Sequence, residues 1–305
     1  MTRKKETDTP SIGMRSVLKS SLRRLLHICL WAGTTIGLLA VMVYGLWTHV
    51  RPHVVDGPHF HMPIERIVIT PEPPAWIRGD VRAEVMRAAS LDEHLSVLDR
   101  DLAESLFKAF SLHPWVAKVE RVTKLQPAGA RVELVYRRPV CMVEVPGGLY
   151  PVDSDAYLLP SSDFSPQTVV NYPRLSGIPK VTEGPVGTQW QDPRVQGAAR
   201  IATVLVDHWT ELKLSKIAPS PEAAVLVAQE TEYDLFTVAG TCIRWGTPDD
   251  HRRTGEPTLA EKVQRLRNYA KQHGSLDARG KAILDVRLGP EILVQPLAGK
   301  SIERR

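Results

Sequence analysis

Between Leu25 and Trp47 the chain runs for 23 residues (LLHICLWAGTTIGLLAVMVYGLW) without Asp, Glu, Lys or Arg. At about 1.5 Å per residue, a helix of this length covers the roughly 30 Å hydrocarbon core of a bilayer. A surface helix of a soluble fold would show a polar stripe, and this run is apolar all round. It predicts an anchor at 25–48, a short tail at 1–24 before it, and a large folded region beyond.

Charge orients the anchor. The tail carries Arg3, Lys4, Lys5, Arg15, Lys19, Arg23 and Arg24 against Glu6 and Asp8, a net of +5 that equals the +5 of the whole chain. Everything after the tail therefore sums to zero. Basic residues ahead of a span stay on the cytoplasmic side, which places the C-terminal region outside. Nucleic-acid binding would need the excess on the folded region, so no nucleic-acid partner is expected. A cleaved signal peptide would have a shorter apolar core, of about 7–15 residues, ending at a small-x-small site. Here the run leads into Trp47-Thr48-His49-Val50-Arg51, which favours a retained anchor.

The polar segment 49–63 reads as a juxtamembrane linker. Its histidines, His49, His53, His59 and His61, lack a regular ligand spacing and read as interfacial side chains, with no metal. Of the three cysteines, Cys29 lies in the span, while Cys141 and Cys242 lie outside, where a disulfide is chemically permitted. Two independent buried thiols are the simpler reading.

Hydrophobic periodicity then predicts a β-α-α-β-β module at 64–139. Strands are expected at Ile64–Ile69, Val116–Val122 and Ala130–Arg137, each alternating apolar and polar. Asp80 caps a first helix carrying Val81, Val85 and Met86, and Asp99 or Asp101 starts a second carrying Leu102, Leu106 and Phe110. From 140 to 298 short strands dominate: a hairpin at 140–152, a turn at Asp153-Ser154-Asp155, then Tyr157–Leu159. Further strands are expected near Ile217, at Ala224–Ala228, Leu235–Val238, Thr241–Trp245, Ala282–Val286 and Ile292–Pro296. Asp192-Pro193 opens a helix expected to run to Leu212, and a second covers Pro257–His273 with Gly274 as its stop. Residues 299–305 form a polar tail. The fold class is α+β: one N-terminal transmembrane helix, a small β-α-α-β-β domain, and a mixed β-rich domain with two helices.

Chemistry is hard to find in this pattern. No Gly-x-Ser-x-Gly elbow, phosphate loop or His-Glu-x-x-His occurs. Asp153-Ser154-Asp155 reads as a turn in which the side chains bond their own backbone. Asp249-Asp250-His251 reads as a solvated loop. Trp76, Trp115, Trp190, Trp209 and Trp245 could stack on sugars, but their apolar flanks read as core. The expectation is a protein without catalytic residues or cofactor. The alternative is a non-catalytic envelope protein that binds peptidoglycan or another periplasmic partner.

Several motifs carry a family resemblance. His113-Pro114-Trp115-Val116, followed by two strands and Tyr136-Arg137-Arg138-Pro139-Val140, resembles the end of a POTRA domain in FtsQ/DivIB-type bacterial division proteins. Tyr150-Pro151-Val152-Asp153-Ser154-Asp155-Ala156-Tyr157-Leu158 resembles the family's second-domain hairpin, with Ala156 in place of Gly. Tyr172-Pro173-Arg174-Leu175-Ser176-Gly177 is similar to its "LP-x-L-x-G". Ile283-Leu284-Asp285-Val286-Arg287, downstream of Lys262, is similar to its final motif. Tyr136, where Glu is frequent, and Leu288-Gly289-Pro290, where an aromatic is common, depart from the pattern.

The resemblance implies a bitopic, non-enzymatic scaffold of the inner (plasma) membrane at the division septum. It implies small single-span coiled-coil partners, FtsB-like and FtsL-like, and an indirect influence on peptidoglycan synthases. It also implies a partner strand added at the C-terminal edge, with Arg287 meeting an acidic partner residue. Leu288, Ile292, Leu293, Val294 and Gln295 complete the expected partner-binding set. A terminal strand has open N–H and C=O groups for such pairing. On this basis Arg287→Glu is expected to weaken binding while leaving the melting temperature unchanged.

Overall fold

The computed structural model describes residues 13–55, 60–91, 95–221, 231–248, 255–278, 280–289 and 291–296. The chain divides into two units, 1–61 and 62–305.

The first unit is built on a 43-residue helix, α1 (Gly13–Val55). Within it, Cys29–Val50 is long and apolar enough to cross a membrane, with a mean hydropathy of 1.7. Its large side chains, among them Leu30, Trp31, Leu39, Tyr44 and Trp47, are exposed around the whole helix, as lipid-facing residues would be. The helix passes Pro52, so the first residues expected to form a linker are helical. His59 lies outside the described residues.

The second unit is a β-rich α+β body. It opens with a 3-10 turn at Ile64–Arg66, where the N–H of Arg66 donates to the Pro63 carbonyl (3.0 Å). This shortens the first expected strand to β1 (Ile67–Thr70). Then come α2 (Val81–Ala88), α3 (Leu102–Ser111), β2 (Val116–Leu125) and β3 (Gly129–Tyr136). Asp80 caps α2 by accepting from the N–H groups of Arg82 and Ala83. The three strands form a sheet in the order β1-β3-β2, with β1 parallel and β2 antiparallel to β3. In β2 the simple alternation expected from sequence fails. Val116 and Val119 are buried three residues apart, and register shifts between Val116 and Lys118 and between Val119 and Arg121 absorb the extra residues. A bulge bends and twists a strand in this way.

The remaining strands form one mixed sheet. In chain order its elements are β4 (Cys141–Val145), β5 (Gly148–Val152), α4 (Pro166–Val169), β6 (Arg174–Leu175), α5 (Pro193–Leu205), β7 (Leu214–Pro219), β8 (Tyr233–Thr237), β9 (Cys242–Gly246), α6 (Leu259–His273), β10 (Ala282–Asp285) and β11 (Leu293–Pro296). The eight strands run β11-β10-β9-β8-β7-β6-β4-β5. Tyr157–Leu159 contributes only isolated bridges, Val152↔Leu158 and Tyr157↔Gln189. Leu159 instead packs in the core formed by α2, α3 and the three-stranded sheet. Helix α5 stops at Leu205 and tightens into a 3-10 turn. Trp209 and Leu212 stay buried beyond it. The expected strand at Ala224–Ala228 and the Asp249-Asp250-His251 segment lie outside the described residues.

Two apolar clusters carry the body. One joins α2, α3 and the three-stranded sheet around Ile67, Met86, Leu106, Phe110 and Trp115. The other joins α5, α6 and the eight-stranded sheet around Leu205, Ile217, Leu235, Trp245 and Leu266. Polar bonds tie them together. Trp115 Nε1 donates to Asp163 Oδ2 (2.8 Å). Arg137 Nη1 donates to Asp153 Oδ2 (2.7 Å), and its guanidinium lies 3.6 Å from the Tyr157 ring centroid. The other oxygen of Asp153 accepts from the N–H groups of Asp155 and Tyr157. That is the turn expected of Asp153-Ser154-Asp155. Trp115, Trp190, Trp209 and Trp245 are all buried, as expected of core residues. Trp76 is half-buried and donates to the Arg137 carbonyl.

Cys141 and Cys242 lie on β4 and β9, four strand positions apart in the sheet. That spacing is about 19 Å at about 4.8 Å per strand, beyond the roughly 7 Å Cα reach of a disulfide. Burial pushes the Cys141 thiol up to about 12, so it stays protonated.

Candidate functional site

The C-terminal strand pair is assembled by a short series of local signals. Thr258 and Glu261 form a capping box that starts α6. Gly274, at φ 81°, ends it in the left-handed conformation that glycine adopts without a Cβ penalty. The chain then enters β10 parallel to β9. After Arg287 it turns through Gly289, at φ 68°, and returns antiparallel as β11, pairing Leu284 with Val294 and Asp285 with Leu293. Among the described strands β11 is one edge of the sheet and β5 the other.

Along β11 the side chains alternate. Ile292 and Val294 are half-buried and pack against the large core, whereas Leu293 and Gln295 point outward. Leu293 is 58% exposed and Leu288, in the preceding turn, 68%. Of the expected partner-binding residues, Leu288, Leu293 and Gln295 are available to a partner's side chains. Ile292 and Val294 support the strand from below. The edge itself offers backbone groups whichever side chains it carries.

Arg287 stands between these classes. Its guanidinium forks onto Asp285, with Nε 3.0 Å from Oδ1 and Nη2 2.7 Å from Oδ2, while Nη1 reaches Glu232 at 3.0 Å. The Arg287 N–H also donates to Asp285 Oδ1 at 3.0 Å. The arginine side chain is only 22% exposed. Burial pushes the Asp285 carboxyl up, but the bonds and charge of Arg287 outweigh it and hold the group below its ordinary value. The same bonds hold Arg287 firmly protonated. Asp285 therefore fixes the end of β10. Arg287 is neither a solvated edge residue nor an isolated charge awaiting a partner. Replacing it by Glu would set three carboxylates together, so the unchanged melting temperature expected from sequence does not follow from this geometry.

A second charged pair lies alongside. Lys262, 1% exposed, donates to Glu256 Oε1 at 2.5 Å. Glu256 also accepts from the Thr247 N–H (3.3 Å) and hydroxyl (3.1 Å). Lys262 Nζ lies 5.3 Å from the Trp245 ring centroid. Gly246, at φ 91°, separates the two pairs: a Cβ there would come 2.3 Å from Glu256 Oε1 and 3.1 Å from Arg287 Cγ. Glycine is required here both by conformation and by the close approach of both ion pairs. Sequence reasoning missed Glu232 and Glu256 because single acidic residues in polar loops look solvated until the fold buries them. Only Lys262, through its place before the final motif, carried a signal.

The chain matches no protein-family model and no curated protein. Among the described residues no group of three His, Cys, Asp or Glu side chains is placed to hold a metal.

Proposed function

We propose that this protein is a non-catalytic, single-span scaffold of the FtsQ/DivIB type, acting in the bacterial division complex by recruitment. In this reading the basic tail is cytoplasmic, and the helix Cys29–Val50 confines the protein to the inner membrane. The β-α-α-β-β lobe is a POTRA-like module, and the β11 edge receives a strand from an FtsB-like partner that travels with an FtsL-like one. The observation that carries the proposal is the position of β11: an edge strand with outward Leu293 and Gln295, directly after the Asp285-Val286-Arg287 motif. Edge addition takes its affinity from main-chain bonds and its specificity from alternate side chains. Support also comes from the order of motifs along the chain and from the helices packed on a β1-β3-β2 sheet.

Photo-crosslinking in the native cell tests this, with probes at Leu293 and Gln295 and an inward control at Val294. Capture of a small single-span coiled-coil protein from the outward sites and not from the control is the expected result. Capture of a different class of protein, or none beside a positive control, would remove the division-scaffold reading.

A further inference from the structure

Among the described strands the three-stranded sheet has an open side of its own. β1 is its outermost strand beyond β3, and the backbone groups on the outer side of an edge strand are left to solvent or to a partner. Beside it, between β1 and the start of α2, lies a groove of about 420 Å³, within the range of about 300–1,000 Å³ typical of ligand clefts.

Three features of the groove specify an occupant. First, its charge is lopsided: Glu65, Glu72 and Asp80 line it against the single cation Arg82. Asp80 spends hydrogen bonds on capping α2 but keeps its negative charge, and Glu65 and Glu72 are exposed. Second, Arg82 is itself engaged within the chain, donating through Nη1 to the Glu65 carbonyl (3.1 Å). Third, Val68 is 45% exposed on the strand itself, whereas Pro71, Pro73 and Pro74 close off further pairing just after Thr70. The site therefore wants cations for its carboxylates and a short extended backbone against β1. A metal ion or a polyamine supplies only the first. An extended peptide with Lys or Arg side chains supplies both.

We propose that this groove binds a short, extended, basic segment of a partner protein, added as a fourth strand along Ile67–Thr70 with its cationic side chains at Glu65, Glu72 and Asp80. The site is on a different sheet from β11 and does not depend on the division-scaffold reading.

The test uses the full chain in non-ionic detergent and three fluorescein-labelled hexapeptides: alternating Lys-Val, alternating Glu-Val, and Lys-Val with every backbone nitrogen methylated. The unmodified Lys-Val peptide is expected to bind and to slow hydrogen exchange of the amides in 67–70. Glu65→Gln and Glu72→Gln should each weaken it about threefold, the size of an exposed ion pair. Unchanged thermal unfolding of both variants excludes a folding defect. The methylated peptide keeps the charge and loses the donors, so it should not bind. Equal binding of the methylated or the acidic peptide, protection confined to other segments, insensitivity to both substitutions, or no binding of the Lys-Val peptide would each overturn the proposal.

Discussion

Arg287 is where the residue scale matters most. Its guanidinium is satisfied by Asp285 and Glu232 within the chain, and one partner lost leaves the others imperfectly compensated. Arg287→Glu is therefore expected to destabilise the body by about 2 kcal/mol, less than a fully buried pair because the side chain is partly wet. Thermal unfolding of the variant measures it, and any loss of partner binding must be read against that loss of stability. Asp285 adds a pH dependence with a definite sign. Its folded pKa is depressed, so its contribution is complete above the ordinary carboxylate value and disappears as pH falls through the depressed one. Asp285→Asn should lower stability at neutral pH and flatten the acid limb of the stability curve followed by urea unfolding. Ala156 is a residue under strain: its φ is 61° and its side chain is fully buried. Ala156→Gly relieves about 1 kcal/mol of backbone cost and gives up about 0.8 kcal/mol of methyl burial, so its urea midpoint should stay near wild type. Ala156→Val, β-branched at positive φ, should lose about 2 kcal/mol or more.

At the scale of elements, α6 shows how a helix is held to a sheet by more than its apolar face. Val263 and Leu266 pack into the core. Between them and the helix start sits Lys262, buried against Glu256 and above Trp245. Breaking such a pair on one side is costly because the other charge remains. Lys262→Met is expected to lose about 3–5 kcal/mol in chemical unfolding, and Glu256→Gln added to it should restore part of that loss. If the double variant is no better than the single one, stranded charge is not the cause. β11 is the opposite case, a four-residue strand paired on one side only among the described strands, held by Ile292 and Val294 beneath it.

For the whole molecule, the question is whether the two lobes of 62–305 behave as one. Leu159 and Phe164, from the second half of the sequence, belong to the core of the first lobe. Trp115 bonds to Asp163 across the junction, and Arg137 to Asp153. With core and buried ion pair shared, neither lobe can open without exposing the other. Calorimetry of the body should show one cooperative transition, with equal calorimetric and van't Hoff enthalpies, and two resolved transitions would contradict the shared core.

Much of this architecture was legible beforehand because its signals are local. The apolar length of the N-terminal helix, the Asp80 and Asp192 caps, the Gly274 stop of α6, and the turn at Asp153 each follow from a few neighbouring residues. Even the buried tryptophans could be inferred from their flanks. What stayed hidden depends on residues brought together from afar. Val116–Val122 reads as a simply alternating strand, yet bulges in β2 turn Val116 and Val119 both inward. Tyr157–Leu159 has strand-like composition, yet Leu159 is claimed by the other core. Arg287 looked like a charge presented to a partner, and it is paired with Glu232, which is distant in sequence and adjacent only once β8 and β10 flank β9. Sequence by itself determined most of the segments that become helix or strand, because propensity and periodicity act over a few residues. Only the tertiary structure decided which charges are spent within the chain and which edges are left open, because burial and strand order arise when the sheets assemble.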